Sequence, residues 1–322
     1  MKNLRIVFMG TPEFAVATLG SLLMNGFNVV GVVTSPDKPA GRGRLITKSA
    51  VKEYAEDNKL HPVLQPANLK DPEFISQLKK LKADLFIVVA FRMLPEDVWK
   101  LPPLGTINLH ASLLPDYRGA APINHAIING ETISGVTTFL IDEKIDTGKI
   151  LLREEVQISP LENAGELHDK LMVQGARLII RTISNLTEYR KLALSQEELT
   201  PEKKRLNPAP KIHPGDCIIN WNNDAARIHN FIRGLSPYPC ARSCFKNDSS
   251  TVSFKIFESV PEIEHHNYKP GTIISDGKKF IKISCKDGNI AIVSLQLEGK
   301  KHMSTIEFLR GFRISDYTIQ VS

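Results

Sequence analysis

Asn108 and His110 stand two residues apart in Thr106–His110, a short run where apolar and polar residues alternate and β-formers dominate. A strand with that pattern sends residues i and i+2 to the same face, so an amide and an imidazole share one surface. An amide N–H can stabilise a developing oxyanion, and an imidazole can move a proton near neutral pH. The same two residues also suit blander roles, a polar strand end and a satisfied core histidine. Asp146 follows 36 residues after His110, in Ile145-Asp146-Thr147-Gly148. It reads either as a turn-forming aspartate or as a carboxylate that a β–loop–α–β path folds back beside the imidazole.

The elements that would position these groups follow from the surrounding pattern. Leu114-Pro115 and Arg118-Gly119 interrupt regular structure after the strand, and Pro122 suits the first turn of a helix running to Ile128. Upstream, an apolar run at Leu4–Met9, helical spacing over Glu13–Asn25 and β-branched residues at Val29–Thr34 make a βαβ unit. Such a unit implies parallel pairing with a right-handed crossover. Leu85–Ala90 is nearly all apolar, as a central parallel strand is. Helices are expected over Ala50–Lys59 and over Asp71–Leu81, the latter with Asp71 as N-cap and Pro72 at the first turn. Gly135–Ile141 and Lys149–Val156 read as strands, and Asn163–Leu186 as a long amphipathic helix.

The polar, proline-containing stretch Lys191–Pro210 suggests a linker. Beyond Asp216 the pattern changes to a short strand at Ile218–Trp221, a helix at Ala225–Leu235, and evenly spaced β runs from Val252 to Gln296. That spacing predicts a small β-barrel. The expected organisation is therefore an α/β, Rossmann-like, mostly parallel sheet domain over 1–190, a linker over 191–210 and a smaller β domain over 211–322.

A length of 322 residues suits two domains, each able to bury a core. Hydrophobic residues at 42% and charged residues at 24% describe an ordinary globular chain. No apolar run approaches the roughly 20 residues of a membrane span, and Ile6–Met9 is too short for a signal peptide, so a cytoplasmic protein is expected. Cys217, Cys240, Cys244 and Cys285 lack the paired spacing of a zinc ribbon, and no metal is expected. Neither a G-x-G-x-x-G turn nor a Walker A loop occurs, which leaves a nucleotide cofactor unsupported. The net charge of +6 is uneven: residues 1–199 are balanced at 23 basic and 23 acidic, whereas residues 200–322 hold 18 against 12. An excess confined to one domain hints at a polyanionic partner. Ser35–Arg44 is rich in Pro and Gly, and Arg42 and Arg44 within it could contact phosphate or simply face water.

Taken together, Asn108-x-His110, Ser112-Leu113-Leu114-Pro115, Arg118-Gly119-Ala120-Ala121-Pro122 and Ile145-Asp146-Thr147-Gly148 resemble the folate-dependent formyltransferases. The likeness begins at Phe8-Met9-Gly10-Thr11-Pro12-Glu13-Phe14 and continues past Asp216. Arg233-Gly234-Leu235-Ser236-Pro237-Tyr238-Pro239 is similar to the signature of the family's C-terminal domain, with Tyr238 where Trp is common. One segment departs from the family pattern. Phe91-Arg92 replaces the usual Tyr-Gly and the loop is shorter, at a place that walls the pterin pocket in relatives.

The resemblance implies transfer of a formyl group from 10-formyltetrahydrofolate, a consumed co-substrate, to the α-amine of methionyl initiator tRNA. It implies Asn108 as oxyanion donor, His110 as proton acceptor or oxyanion stabiliser, and Asp146 as the group that orients the ring and favours the imidazolium. By the same resemblance Ser112, Leu113, Leu114 and Pro115 line the folate site, Arg42 and Arg44 lie on the loop that closes on the tRNA acceptor stem, and the C-terminal barrel is OB-like. A monomer with no membrane partner is expected. A small amine or water as acceptor would use the same three catalytic residues without needing the basic second domain. A purely RNA-binding protein would not need the three residues together.

Overall fold

Ile6–Met9 is completely buried, because it forms the middle of an interior strand of the main sheet, paired on both sides. That sheet contains Arg5–Gly10 (β1), Asn28–Val33 (β2), Val63–Leu64 (β3), Leu85–Val89 (β4), Thr106–His110 (β5), Ile133–Leu140 (β6) and Ile150–Gln157 (β7), in the spatial order β7-β6-β5-β4-β1-β2-β3. Strands β1 to β5 pair in parallel. The sheet is mixed rather than wholly parallel, since β6 runs antiparallel to β5, pairing His110 with Thr137 and Asn108 with Phe139. The chain builds outward from β1 through β2 and β3, then returns to β1's other side with β4. In open sheets of this kind the crevice beyond the carboxyl ends of the strands at that reversal is where ligands bind. Asn108 and His110 occupy the carboxyl end of β5, next to β4.

The helices begin as their sequences require. Asp71 caps Pro72–Lys80 by accepting from the Glu73 N–H at 3.0 Å, and Ser49 caps Ala50–Asp57 by accepting from Lys52 N–H at 3.1 Å. On one side of the sheet, Val7, Met9, Phe86 and Val88 pack with Phe74, Leu78 and Val98.

The structure describes residues 3–40, 45–200 and 206–319. It divides into a first unit of Met1–Gly119, Ser134–Gln157 and His168–Ala209, and a second of Ala120–Ile133, Ile158–Leu167 and Pro210–Ser322. The division is therefore not a single cut in the sequence. The second unit draws the helix Pro122–Ile128 from the middle of the chain and packs it on the helix Ala225–Leu235. Asn124 donates to the Gly234 carbonyl at 2.8 Å, and Arg233 donates to the Glu162 carbonyl at 2.8 Å.

The second unit's sheet is antiparallel and curls into a nearly closed, OB-like barrel, in the order Ile273–Ser275, Ile281–Ser284, Gly288–Leu297, Thr251–Ile263, Ala241–Lys246, Thr318–Ile319. Its core holds Phe245 stacked on Phe254 at 4.0 Å. Trp221 is fully buried and donates its indole N–H to Ser243 Oγ at 3.0 Å. The strand expected at Ile218–Trp221 is only one bridge, Ile218 to Arg242, because the chain turns at Trp221 to bury that indole. His229 is buried beneath its helix, paired with Ser259 Oγ at 3.1 Å, and burial, assisted by the Arg233 charge, pushes its imidazole from 6.5 down to about 4. Among the described residues no helix is long and apolar enough to cross a membrane.

Candidate active site

The opposite face of β5 is claimed by a helix. Gly175, within Ala164–Ser184, comes so close to Leu109 that an added Cβ would stand 2.7 Å from its Cδ2. Alternation along the strand then turns Asn108 and His110 to the other face. Asn108 is half-buried, and its amide makes no hydrogen bond among the described residues. A donor left free at the carboxyl end of a strand is available to a ligand.

His110 is buried and fully oriented. Its Nε2 lies 2.9 Å from the Tyr117 carbonyl oxygen, which can only accept, so Nε2 carries the proton. Tyr117 reaches this position with φ of +61°, a left-handed conformation that is costly for a bulky residue and is typical of backbone held for function. The remaining nitrogen, Nδ1, faces Asp146 Oδ2 at 3.9 Å, beyond direct hydrogen-bond range. With Nε2 carrying the proton of a neutral ring, Nδ1 is the nitrogen left to accept one, and it lies on the side of the Asp146 carboxylate. The Asp146 carboxylate is itself held by the Gly119 N–H, which donates to Oδ2 at 3.0 Å.

Asp146 also sits at positive φ, +55°, which aspartate tolerates better than most residues. Gly148 lets the same turn press against β6, since a Cβ there would lie 1.6 Å from the Leu140 carbonyl oxygen. The structure thus brings His110 and Asp146 together across 36 residues of chain.

Ser112–Pro115 follows directly. Ser112 is fully buried and donates from Oγ to the Asp116 carbonyl at 2.7 Å, while its own carbonyl accepts from Thr137 Oγ1 at 2.6 Å. Leu114 is fully buried against Phe139 and Ile150, and its carbonyl accepts from Arg153 at 2.9 Å. Pro115 is also buried, and Leu113 alone of the four is partly exposed. A cavity of about 340 Å³ is lined by Leu113 with Ile150, Leu152, Arg153, Leu194 and Leu199. Asn108, His110 and Asp146 do not line it.

The stretch 191–210, read as a linker, packs closely where it is described. Leu194 bridges Ile150, and Leu199 packs on the Leu114 cluster. Pro208–Ala209 pairs in parallel with Arg118–Gly119, and Asn207 accepts from the Tyr117 N–H at 2.7 Å. Composition pointed to a polar connector, whereas these few apolar and amide groups brace the motif. Arg118 and Gln196 belong to the same bracing, and neither stood out as a site residue. Gly119 is needed for it: at φ +127°, a Cβ would lie 2.3 Å from the Ala209 carbonyl oxygen.

Arg42 and Arg44 lie outside the described residues. The segments either side of them, Lys38–Ala40 and Leu45–Thr47, pair antiparallel. Phe91-Arg92, the departure from the family pattern, has a structural use here. Arg92 donates to the Ala67 carbonyl at 3.0 Å and the Pro66 carbonyl at 2.7 Å, tying the loop after β4 to the loop after β3. Among the described residues no group of three or more His, Cys, Asp or Glu side chains is arranged to hold a metal ion.

Residues 4–183 match the formyl transferase family and residues 211–313 match the formyl transferase C-terminal domain. The chain is 51% identical to the methionyl-tRNA formyltransferase of Bacteroides thetaiotaomicron over 316 residues, 98% of either chain. It is 53% identical to that of Flavobacterium johnsoniae, again over 98% of each. Among solved structures, WlaRD, a sugar 3N-formyl transferase, shares the fold with a TM-score of 0.62 at 22% identity, covering 92% of this chain and 99% of that one. HypX from Aquifex aeolicus, solved with tetrahydrofolic acid, matches with a TM-score of 0.62 at 18% identity, over 95% of this chain and 47% of that one. With both domains matched and about half of all positions identical from end to end, the chain belongs to the formyl transferase family, in the group of the methionyl-tRNA formyltransferases.

Proposed function

We propose that this protein transfers the formyl group of 10-formyltetrahydrofolate to the α-amino group of methionyl initiator tRNA, in the cytoplasm where translation begins. The observation that carries the proposal is the end-to-end identity with enzymes named for that acceptor, basic C-terminal domain included. Chemically, the neutral amine attacks the formyl carbon, a C–N bond forms, and the carbonyl oxygen becomes an oxyanion. Collapse breaks the bond to N10, which takes up a proton, while the amine loses one. The products are formylmethionyl-tRNA and tetrahydrofolate.

Asn108 donates its free amide N–H to the oxyanion. His110, with Nε2–H committed to the Tyr117 carbonyl, accepts the amine's proton on Nδ1. Asp146 stabilises the resulting imidazolium, since an adjacent carboxylate favours the charged form. Folate is held by the backbone of Ser112–Pro115 and by Leu113, because the Ser112 and Leu114 side chains are engaged in the protein's own interior. Arg42 and Arg44 contact the tRNA acceptor end. No metal is required by any of these steps.

The test offers methionyl initiator tRNA and a small primary amine side by side, with 10-formyltetrahydrofolate as donor and chelator present. Formylation of the tRNA in strong preference to the amine is expected. Equal or preferential use of the small amine would overturn the assigned acceptor.

A further inference from the structure

Gln196 is completely buried, and every hydrogen-bonding position of its side chain is used. Its Nε2 donates to the Asp146 carbonyl at 3.0 Å and to the Gly148 carbonyl at 2.8 Å. Its Oε1 accepts from Arg118 Nε at 3.0 Å and Nη2 at 2.6 Å. The amide orientation is unambiguous, because the carbonyls can only accept and the guanidinium can only donate. We propose that Gln196 is a positioning residue for formyl transfer, locking the Asp146–Gly148 turn and Arg118 so that the Asp146 carboxylate stays facing His110.

The geometry supports a positioning role beyond filling space. Asp146 and Tyr117 both hold left-handed backbone, at φ +55° and +61°, so the two segments around His110 need external restraint. Arg118 adjoins Gly119, whose N–H holds the Asp146 carboxylate at 3.0 Å. One amide therefore grips the turn that carries the carboxylate and the residue beside the carboxylate's own donor. Gln196 is held in turn by the Leu194–Ile150 bridge and by Thr200, which donates from Oγ1 to the Gln196 carbonyl at 2.8 Å. Displacement of reacting groups by about an ångström can cost roughly 10²-fold in rate.

This inference rests on the catalytic role proposed for Asp146, and the experiment separates the two. Steady-state kinetics are measured for Gln196→Ala, Gln196→Glu, Asp146→Asn and the double variant Gln196→Ala with Asp146→Asn, with thermal melts and folate affinity in parallel. Gln196→Ala is expected to lower kcat by at least ~10-fold while folate affinity changes by less than ~3-fold, a loss of alignment rather than binding. Gln196→Glu keeps the Arg118 contact but turns a carboxylate oxygen toward two carbonyls, so it is expected to lose kcat as well. The double variant should be no slower than Asp146→Asn alone, because a residue acting through Asp146 has nothing left to position. Near-wild-type kcat in folded Gln196→Ala or Gln196→Glu, or losses that multiply in the double variant, would overturn the proposal. Wild-type turnover in Asp146→Asn would instead remove the catalytic role of Asp146. If Gln196→Ala does not fold, the isosteric Gln196→Glu decides by the same kcat criterion.

Discussion

At the scale of single residues, two side chains of the proposed mechanism are made ready by different means. Asn108 offers an amide that makes no hydrogen bond among the described residues, whereas His110 is held by a backbone carbonyl at 2.9 Å. Replacing either by alanine is expected to lower kcat by at least ~10²-fold, the usual scale for losing an oxyanion donor or proton acceptor. Their melting temperatures should change little for Asn108→Ala and more for His110→Ala, which loses a buried hydrogen bond. Circular dichroism melts alongside initial rates check both, and a folded variant with full turnover would remove that residue from the mechanism. The shared face of these two residues was legible in the sequence, since alternation in Thr106–His110 needs only the period of a strand. The approach of Asp146 was legible only as one of two readings, favoured by the family resemblance, because nothing local states where a turn 36 residues away will return. Gln196 was less visible still: its partners are two carbonyls and an arginine that only the folded chain assembles.

At the scale of elements, backbone proximity explains the glycine of the Arg118–Gly119 pair. Gly119→Ala introduces a Cβ 2.3 Å from the Ala209 carbonyl at φ +127°. It is expected to cost at least about 1 kcal/mol of stability through that strain. It should also lower kcat, because the N–H holding Asp146 moves with the strand; denaturant unfolding and initial rates measure the two effects.

The helix Ala225–Leu235 gives a pH prediction. Its His229 titrates at about 4 in the folded protein against an ordinary 6.5, so between these values the unfolded chain binds a proton that the folded one does not. The His229 contribution is complete above about pH 6.5 and is lost as pH falls toward 4. Melts of His229→Gln across that window should fall less steeply than wild type; an identical slope would contradict the buried neutral imidazole. The helices and most strands were legible from caps and apolar runs. The bracing by Leu194, Gln196, Leu199 and Asn207–Ala209 was not, because these few residues are diluted among polar ones.

At the scale of the whole molecule, the second unit's use of 120–133 and 158–167 bears on any attempt to dissect function by truncation. Deleting 211–322 would strip the helix Pro122–Ile128 of its partner, so charge substitution is the sounder probe of the basic domain. On the barrel, Arg242 and Lys255 stand directly opposite each other on paired strands, an arrangement of like charges that costs stability unless an anion shares it. Neither makes an ion pair among the described residues. Changing both to glutamine is expected to weaken tRNA binding and flatten its log–log salt dependence by roughly 1 to 2, the loss of about two phosphate contacts, with folate affinity unchanged. An unaltered salt slope would leave that face without a role in tRNA binding.

The most direct measurement follows the formyl carbon itself. Formyl-labelled 10-formyltetrahydrofolate is incubated with methionyl initiator tRNA and wild-type, Asn108→Ala or His110→Ala protein, and label on the methionine α-nitrogen is measured over time. Label should accumulate there with wild type and at least ~10²-fold more slowly with either variant. Label that never reaches the methionine nitrogen, or that reaches it equally fast with all three proteins, would contradict the account.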